Sequence, residues 1–298
     1  MRYTNLASLL LLFAVHTQAA VDLKANETPL NTPVDPKAIA LLPAHYRLAH
    51  AGQLTVAVSA QNSPPLSLVA SDNRTRIGSD IDIARLLAQS LGLTLNIVPV
   101  SWEEWPLGLS SGRYDVALVN IAVTEPRKQK YDFATYRTDS LAFSVKHDSP
   151  ITHIATAKDI AGQRVIVGSG TNQERILLDW NAQLRQQGLK PAIPIYLTDD
   201  ATTTLFLQSG RAEVNFGPQA AAAWKAALNG RTKVVGNSPY KAWVATTTLK
   251  GNGLVKALNQ ALNDAIASGH YQKILSRWGE AQEGVAYSQI NPPGITYR

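Results

Sequence analysis

The sequence predicts an α/β protein of two lobes, each a mainly parallel sheet flanked by helices, with a cleft between them. Segments with the hydrophobic period of a strand alternate with segments that have the period of a helix, and the alternation forms two successive β-α-β-α-β sets. Each set implies a mainly parallel sheet covered by helices. The chain has 298 residues, enough for two domains, and its 45% hydrophobic and 17% charged residues are typical of a globular protein.

Residues 1–19 have the pattern of a secretory signal peptide. Arg2 supplies a positive charge, Leu6–Val15 is apolar, and Thr17–Ala19 has the small residues of a cleavage site. The apolar run is too short to span a bilayer comfortably, and the alternative, a buried N-terminal helix, fits this flanking pattern less well. We therefore expect the mature protein to be exported to the periplasm.

The absence of cysteine and the spread of positive charge exclude several kinds of site and partner. Without cysteine there are no disulfides, thiolate metal sites, cysteine nucleophiles or lipid-anchored cysteine. An exported protein of this size without disulfides suits a bacterial periplasm, because its core is large enough to need none. The net charge of +6 comes from scattered Lys and Arg with no basic stripe, so no nucleic-acid partner is expected.

The N-terminal half provides the first β-α-β-α-β set. Residues 20–49 contain four prolines and little periodicity, which predicts an extended lead-in with a short helix near Ala38–Leu42. The set that follows is strand Leu54–Val58, helix Ser79–Gly92, strand Thr94–Val100, helix Glu103–Gly112 and strand Asp115–Val123.

The C-terminal half repeats the pattern after a strand-like segment at Leu141–Ser149. The second set is strand Arg164–Gly168, helix Asn172–Gln187, strand Ile193–Leu197, helix Ala201–Gln208, strand Glu213–Phe216 and helix Gln219–Asn229. Then come strand Thr232–Gly236, helix Leu254–Ala267, a short helix ending at Trp278 and a tail with Pro and Gly. Ligands of open α/β sheets bind beyond the carboxyl ends of the strands. The candidate positions are therefore those that follow Val58, Val119, Gly168 and Phe216.

The segment "NIAVTEPR" delivers an arginine to the start of a helix. Thr124 is a good N-cap, Glu125 favours the positive first turn, and Arg127 falls at about the third helical position. A cation there opposes the helix dipole, so local helix energetics alone would not choose it. A guanidinium beside free N–H groups suits a carboxylate, and we interpret Arg127 as directed at an anion. The alternative, a surface ion pair of Arg127 with Asp132 or Glu125, stays open at this point.

The segment "GSGTNQE" predicts a second helix start that could accept an anion. Thr171 and Glu174 have the spacing of a capping box, and the glycines allow close approach of the backbone. The segment lacks the ending of a phosphate-binding P-loop and is not a G-x-S-x-G nucleophile elbow. The six histidines show no metal spacing, and the adjacent acids Asp199 and Asp200 are interpreted as a helix cap. No catalytic residue, metal or cofactor is therefore predicted.

These segments, in this order and spacing, resemble the bacterial extracellular solute-binding proteins of family 3, the polar amino-acid receptors of ABC importers. The resemblance covers about Gly52 to Gly279. Its motifs stand here as GQLTVAVSAQNSPPLSL, IGSDIDIARLLAQSLGL, VPVSWEEWPLGLSSGRYDVAL, AVTEPRKQKYDFA, AGQRVIVGSGTNQE, LQSGRAEVNF and NQALNDAIASGHYQKILSRWG.

The resemblance implies a two-lobed, type II periplasmic-binding-protein fold with two hinge strands. Lobe 1 would comprise residues 50–141 and 247–298, lobe 2 residues 146–242, and the hinges would lie near 142–146 and 243–247. An amino acid or similar small carboxylate would close the lobes by contacting both. The closed protein, a monomer, would then dock on a membrane permease.

The resemblance also implies a set of ligand-binding residues. Arg127 matches the arginine that grips the ligand's α-carboxylate, and Trp102 matches a wall contact. The remaining matches present backbone groups and polar side chains at the strand ends and helix starts. They are Ser59, Asn62, Asn120, Ile121, Ala122, Gly170, Thr171, Asn172, Asn215 and Gln219.

Three positions depart from the family pattern. Asn62 replaces an aromatic residue, Ala122 replaces a hydroxyl residue, and Pro218 replaces the aspartate that receives the α-ammonium. A buried ammonium without an anionic partner is costly. Either another acid in the cleft takes that role, or the ligand has no free α-ammonium and uses neutral groups such as Asn215 and Gln219.

Two alternatives to transport remain open from the sequence. Cyclohexadienyl dehydratases also resemble this family, and turnover would require a general acid in the cleft. A protein of this kind could also act as a ligand sensor that docks on a chemoreceptor or a kinase.

Overall fold

A computed structural model describes residues 21–296, so the predicted signal peptide lies outside the described residues. The strands of this part are β1 Gln53–Ser59, β2 Leu68–Val69, β3 Arg76–Ile77, β4 Thr94–Val100, β5 Val116–Leu118, β6 Tyr131–Lys146, β7 Arg164–Val167, β8 Ile193–Tyr196, β9 Val214–Pro218 and β10 Thr232–Leu249. The α-helices are α1 Pro36–Ala40, α2 Ser79–Ser90, α3 Trp105–Ser110, α4 Glu125–Lys128, α5 Asn172–Gln186, α6 Asp200–Gln208, α7 Gln219–Asn229, α8 Leu254–Ala267 and α9 His270–Arg277.

Eight strands join in one sheet, in the order β4-β1-β5-β10-β6-β9-β7-β8. The two outer groups, β4-β1-β5 and β9-β7-β8, pair in parallel, as β-α-β connections require. The central strands β10 and β6 are antiparallel to each other, and each also pairs with one of the outer groups. These two long strands therefore pass from one lobe to the other.

Each lobe has its own apolar core. In lobe 1, α2 packs against β1 and the C-terminal helices α8 and α9, because its Ile81, Ala84 and Leu87 recur at helical spacing. In lobe 2, Phe143 stacks on Phe216 at 4.0 Å between ring centroids, within a cluster that includes α5. The C-terminal helices thus belong to the core of the first lobe, although they follow the second lobe in sequence.

A buried ion pair connects α2 to the end of α9. The Oδ2 atom of Asp82 accepts hydrogen bonds from Nε of Arg277 at 2.8 Å and from Nε1 of Trp278 at 2.6 Å. Only 6% of the Asp82 side chain and 14% of the Arg277 side chain are exposed. Burial raises the pKa of Asp82, while Trp278 and Arg277 oppose that rise. Such a pair depends on each of its members, because loss of one leaves an uncompensated buried charge.

The structure shortens one predicted strand and lengthens another. Strand β5 ends at Leu118 instead of Val123, because Asn120 has a φ of 57°, in the left-handed region, and breaks the extended conformation. Strand β6 begins at Tyr131, two residues after the single turn of α4, and pairs with β10 over most of its length. Both differences place side chains between the lobes.

Between residues 21 and 296 there is no helix with the length and apolar character needed to cross a membrane.

Candidate functional site

A cavity of ≈ 240 Å³ lies between the lobes, at the carboxyl ends of the parallel strands. This volume lies just below the range of pockets that hold drug-sized ligands, so the cavity suits a small solute. The structure brings eight of the predicted site residues to its walls: Ser59, Trp102, Asn120, Ala122, Arg127, Thr171, Asn172 and Asn215. The strand-end rule applied to the sequence therefore located the cleft.

Arg127 lies in this cavity and reaches across to the second lobe. The side chain of Thr124 caps α4 by accepting a hydrogen bond from the backbone N–H of Arg127 at 3.3 Å. The guanidinium donates to the carbonyl oxygen of Ala122 at 2.8 Å and to that of Gly170 at 3.0 Å. It also lies 5.2 Å from the ring centroid of Trp102, a cation–π distance. The cap, the carbonyls and the ring together fix the orientation of the guanidinium.

The two acids considered as surface partners of Arg127 have other roles. Glu125 pairs with Lys128 at 3.0 Å and accepts the N–H of Gly294. Asp132 accepts hydrogen bonds from the N–H of Gly251 and the side-chain amide of Asn291. Both acids are therefore bound to the chain around them.

The opposite wall is the start of α5. Thr171 caps this helix, since its Oγ1 accepts the N–H of Glu174 at 3.2 Å. The carboxylate of Glu174 reaches past the cap and accepts the N–H of Gly170 at 2.6 Å. Nε1 of Trp102, on the first lobe, donates to the carbonyl of Ser169 at 3.0 Å. Trp102 and Arg127 of the first lobe thus contact the second lobe on one side of the cavity.

Four predicted residues do not line the cavity: Asn62, Ile121, Gly170 and Gln219. Asn62 is exposed, and its Oδ1 accepts the N–H of Val69, while its neighbours Gln61 and Ser63 line the cavity. Ile121 is fully buried in the lobe 1 core. Gly170 meets Arg127 through its carbonyl, and Gln219 is bonded to Ser140.

Four charged residues of the cavity wall were not predicted from the sequence: Asp80, Asp139, Asp200 and Lys225. Asp199 caps α6, as predicted, but Asp200 forms an ion pair with Lys225 from α7. Burial lowers the pKa of Lys225 to about 8. An acid and a base therefore stand together on the lobe 2 wall.

Asp80 and Asp139 belong to a buried cluster beneath the cavity. The Oδ1 of Asp80 accepts the hydroxyl of Tyr136 at 2.6 Å, and the Oδ2 of Asp139 accepts the amide of Asn120 at 2.9 Å. Arg137, fully buried, donates to Glu283 at 2.8 Å and to Asn120. One buried cation thus faces Asp80 and Asp139 on one side and the acids of the 280–283 segment on the other.

Ionisation of this cluster should make the stability depend on pH. Burial raises the pKa of Glu280 to about 7, above the 4.5 of a free side chain, although Arg137 opposes the rise. The folded protein therefore keeps a proton that the unfolded chain releases between about pH 4.5 and pH 7, so the free energy of unfolding falls as pH rises through that window. Burial also raises the pKa of Glu283 to about 7 and that of Asp80 to about 6, which acts in the same direction.

We expect Glu280→Gln to reduce the fall in stability between pH 5 and pH 8 by roughly 1–3 kcal/mol, because the amide cannot ionise. Urea denaturation of wild type and variant at several pH values measures this. Glu103→Gln, at an exposed position, is the control and should leave the dependence unchanged. The same pH dependence in the Glu280 variant as in wild type would contradict the prediction.

The C-terminal tail supports the turn that carries Arg127. The N–H of Gly294 donates to Glu125 at 2.8 Å, the N–H of Ile295 donates to the carbonyl of Val123 at 3.2 Å, and Ile295 itself lines the cavity. A Cβ at position 294 would lie 2.8 Å from the backbone nitrogen of Glu125. The tail therefore fits against α4 only without a side chain at this position.

Gly294→Ala should loosen the tail and lower the affinity of the cleft several-fold, because the backbone atoms that meet the new methyl group cannot move without disturbing α4. Isothermal calorimetry with an amino acid that binds the wild type measures the effect. Thr296→Ala, at an exposed position of the same tail, should bind as the wild type does. Equal affinities for both variants would show that the tail does not position Arg127.

Among residues 21–296 there is no group of three or more His, Cys, Asp or Glu side chains placed to hold a metal ion.

Comparison with known proteins relates the chain to a single family. The sequence profile of the bacterial extracellular solute-binding proteins, family 3, matches residues 54–281. The L-cystine-binding protein TcyJ of Escherichia coli (strain K12) is 31% identical over 218 residues, which cover 72% of this chain and 78% of that protein.

The solved structures that share the fold include two ancestral binding proteins. An ancestral arginine-binding protein bound to glutamine is 27% identical, with a TM-score of 0.69 over 79% of this chain and all of the other chain (100%). The ancestral amino acid-binding protein AncCDT-1, a precursor of cyclohexadienyl dehydratase, is 26% identical, with a TM-score of 0.67 over 76% of this chain and 95% of the other. The predicted two-lobed α/β fold is thereby confirmed.

Proposed function

Because this chain belongs to the bacterial extracellular solute-binding proteins of family 3, we propose that it binds an amino acid, or a similar small carboxylate, in the cleft between its lobes and delivers it to the membrane permease of an ABC transporter. The proposal places the protein in the periplasm as a monomer. Its relatives include proteins named for cystine and for arginine, which define the solutes to test first.

The observation that carries this proposal is the position of Arg127. Its guanidinium lies in the cavity at the start of α4 and already bridges to Gly170 of the second lobe. The planar guanidinium can form two parallel hydrogen bonds with a carboxylate, and the dipole at the start of α4 also attracts its negative charge. A carboxylate held there would contact both lobes at once.

Contact with both lobes is what would couple binding to closure. We place the hinge in the two central strands, where β6 pairs with β9 from Leu141 onward and β10 pairs with the first lobe at Val244 and Thr247. A ligand that bridges the lobes favours the closed state by its extra contacts in that state. The permease would then recognise the closed form.

The pair Asp200 and Lys225 bears on which amino acid is bound. A ligand with one distal cation, such as arginine, would place that cation beside Lys225 as well as Asp200. Cystine carries a second amino-acid group with both charges, which complements an acid next to a base. We therefore rank cystine ahead of arginine.

We also propose that the protein binds its solute without changing it chemically. The structural relative AncCDT-1 is described as a precursor of an enzyme, and the cleft contains Asp139, whose pKa is raised by burial and which could act as a general acid. No histidine is among the described residues of the cavity wall. Incubation of the purified protein with prephenate and with arogenate should yield no product, and turnover of either would assign it to the enzymes.

Native mass spectrometry of freshly purified protein, followed by thermal shift with single amino acids, tests the main proposal. A solute that binds only the folded state raises the melting temperature. We expect L-cystine or another free amino acid to raise the melting temperature. We also expect native mass spectrometry to detect a bound small molecule that dissociates from the protein on dilution. If neither amino acids nor small carboxylates shift the melting temperature, the proposal fails.

A further inference from the structure

We propose that Asp139, on the strand that links the lobes, receives the ammonium group of the ligand in place of the missing aspartate at position 218. The proposal rests on the proposed function, because it assumes that the cleft binds a small solute through Arg127. It assigns the solute to the class of free amino acids, with an unsubstituted α-ammonium.

Asp139 lines the cavity and has a buried carboxylate oxygen that lacks a hydrogen-bond donor. Its side chain lines the cavity, yet only 6% of the residue is exposed. One carboxylate oxygen accepts the amide of Asn120, whereas Oδ1 has no hydrogen-bond partner among the described residues. A buried carboxylate oxygen without a donor is costly. Because the side chain of Asp139 lines the cavity, an ammonium brought to this wall could supply the missing hydrogen bond after a small shift of the carboxylate.

The register of the sheet relates Asp139 to Pro218. Leu141 of β6 pairs with Pro218 of β9, and Asp139 is two residues from Leu141 on the same face of the strand. Such diagonal neighbours lie about 7–8 Å apart. The carboxylate of Asp139 can therefore contact a ligand group in about the same part of the cavity as an aspartate at position 218 would.

The other acids of the cavity wall are committed to other groups. Asp200 forms its ion pair with Lys225, and Asp80 accepts the hydroxyl of Tyr136. The cluster beneath the cavity also contains more acids than cations: Arg137 is buried among Asp80, Asp139, Glu280 and Glu283. An ammonium next to Asp139 would favour the ionised form of that carboxyl, whose pKa burial otherwise raises.

A cycle of protein and ligand variants tests the assignment. Titration calorimetry would compare L-cystine with dithiodipropionic acid, which lacks both amino groups, and L-arginine with δ-guanidinovaleric acid, which lacks its α-amino group. Wild type should bind the amino acid about 30-fold or more tightly than its partner compound. In Asp139→Asn that preference should fall to a few-fold, because the amide offers no charge to the ammonium.

Two controls separate this inference from folding and from the proposed function. Asp148→Asn, which changes an exposed aspartate just beyond the end of the same strand, should keep the wild-type preference. The wild-type comparison of the two compounds requires no variant, so it stands even if Asp139→Asn folds poorly. If Asp139→Asn retains the full preference, or wild type shows none, Asp139 is not the ammonium site although solute binding stands. If wild type binds none of the four compounds and no other amino acid or small carboxylate, it is the proposed function that fails.

Discussion

Arg127→Ala is expected to lower the affinity for L-cystine, or for whichever amino acid stabilises the wild type, by about 100-fold or more, which is about 2.8 kcal/mol. The variant removes the cation that would pair with the ligand's carboxylate and also the link to the carbonyl of Gly170 on the second lobe. Arg127→Lys should recover only part of the loss, because an ammonium cannot form the two parallel hydrogen bonds of a guanidinium. Isothermal titration calorimetry measures all three proteins.

The matched control is Arg113→Ala, which removes an exposed arginine from the same lobe. It should bind as the wild type does, so a loss specific to position 127 cannot come from net charge. Melting temperatures of the variants show whether the fold is retained. An Arg127→Ala variant that binds within threefold of wild type would remove the main support for a carboxylate site in this cleft.

Asp82→Ala should destabilise the protein by roughly 3–5 kcal/mol and lower its melting temperature by roughly 6–20 °C. The substitution removes the acceptor of both Arg277 and the indole N–H of Trp278, and it leaves the arginine charge buried without its partner. Because this contact joins α2 to the end of α9, its loss weakens the attachment of the C-terminal segment to lobe 1, while the apolar packing of α8 and α9 remains. Differential scanning calorimetry gives the change directly.

A second ion pair of the same lobe provides the comparison. Lys37 and Asp264 lie 3.8 Å apart with side chains that are 77% and 36% exposed. Asp264→Ala should cost no more than about 1 kcal/mol, because solvent screens an exposed pair. Equal destabilisation by the two aspartate variants would show that burial is not what makes the Asp82 contact strong.

Local patterns in the sequence were sufficient for many of the elements. Helices α7 and α8 and strand β4 have the predicted bounds, because each is defined by periodicity and end signals within its own residues. The length of β6 could not be predicted in this way. It extends from Tyr131 because its partner β10, about a hundred residues later, supplies the hydrogen bonds.

The same distinction applies to the cleft. Arg127 was predicted because the cap at Thr124 and the helix start are adjacent in sequence. Asp139 was not, because its environment is formed by Asn120, by Arg137 and by acids near the end of the chain. No spacing rule connects residues that meet only when three strands and a distant loop come together.

The two strands that cross between the lobes also have a mechanical consequence. Asn237 pairs with Ala142 and Lys241 with Ser140, so three residues of β10 stand opposite one residue of β6. Such an irregularity bends and twists a ribbon more easily than its regular stretches, and Pro239 within it cannot donate to the ladder. The two-stranded ribbon therefore bends most easily at this irregularity. We expect the hinge motion of the lobes to be concentrated there rather than spread along the two strands. The stiffness of that short stretch would then act together with the contacts of Arg127 in setting how long a bound solute stays in the cleft.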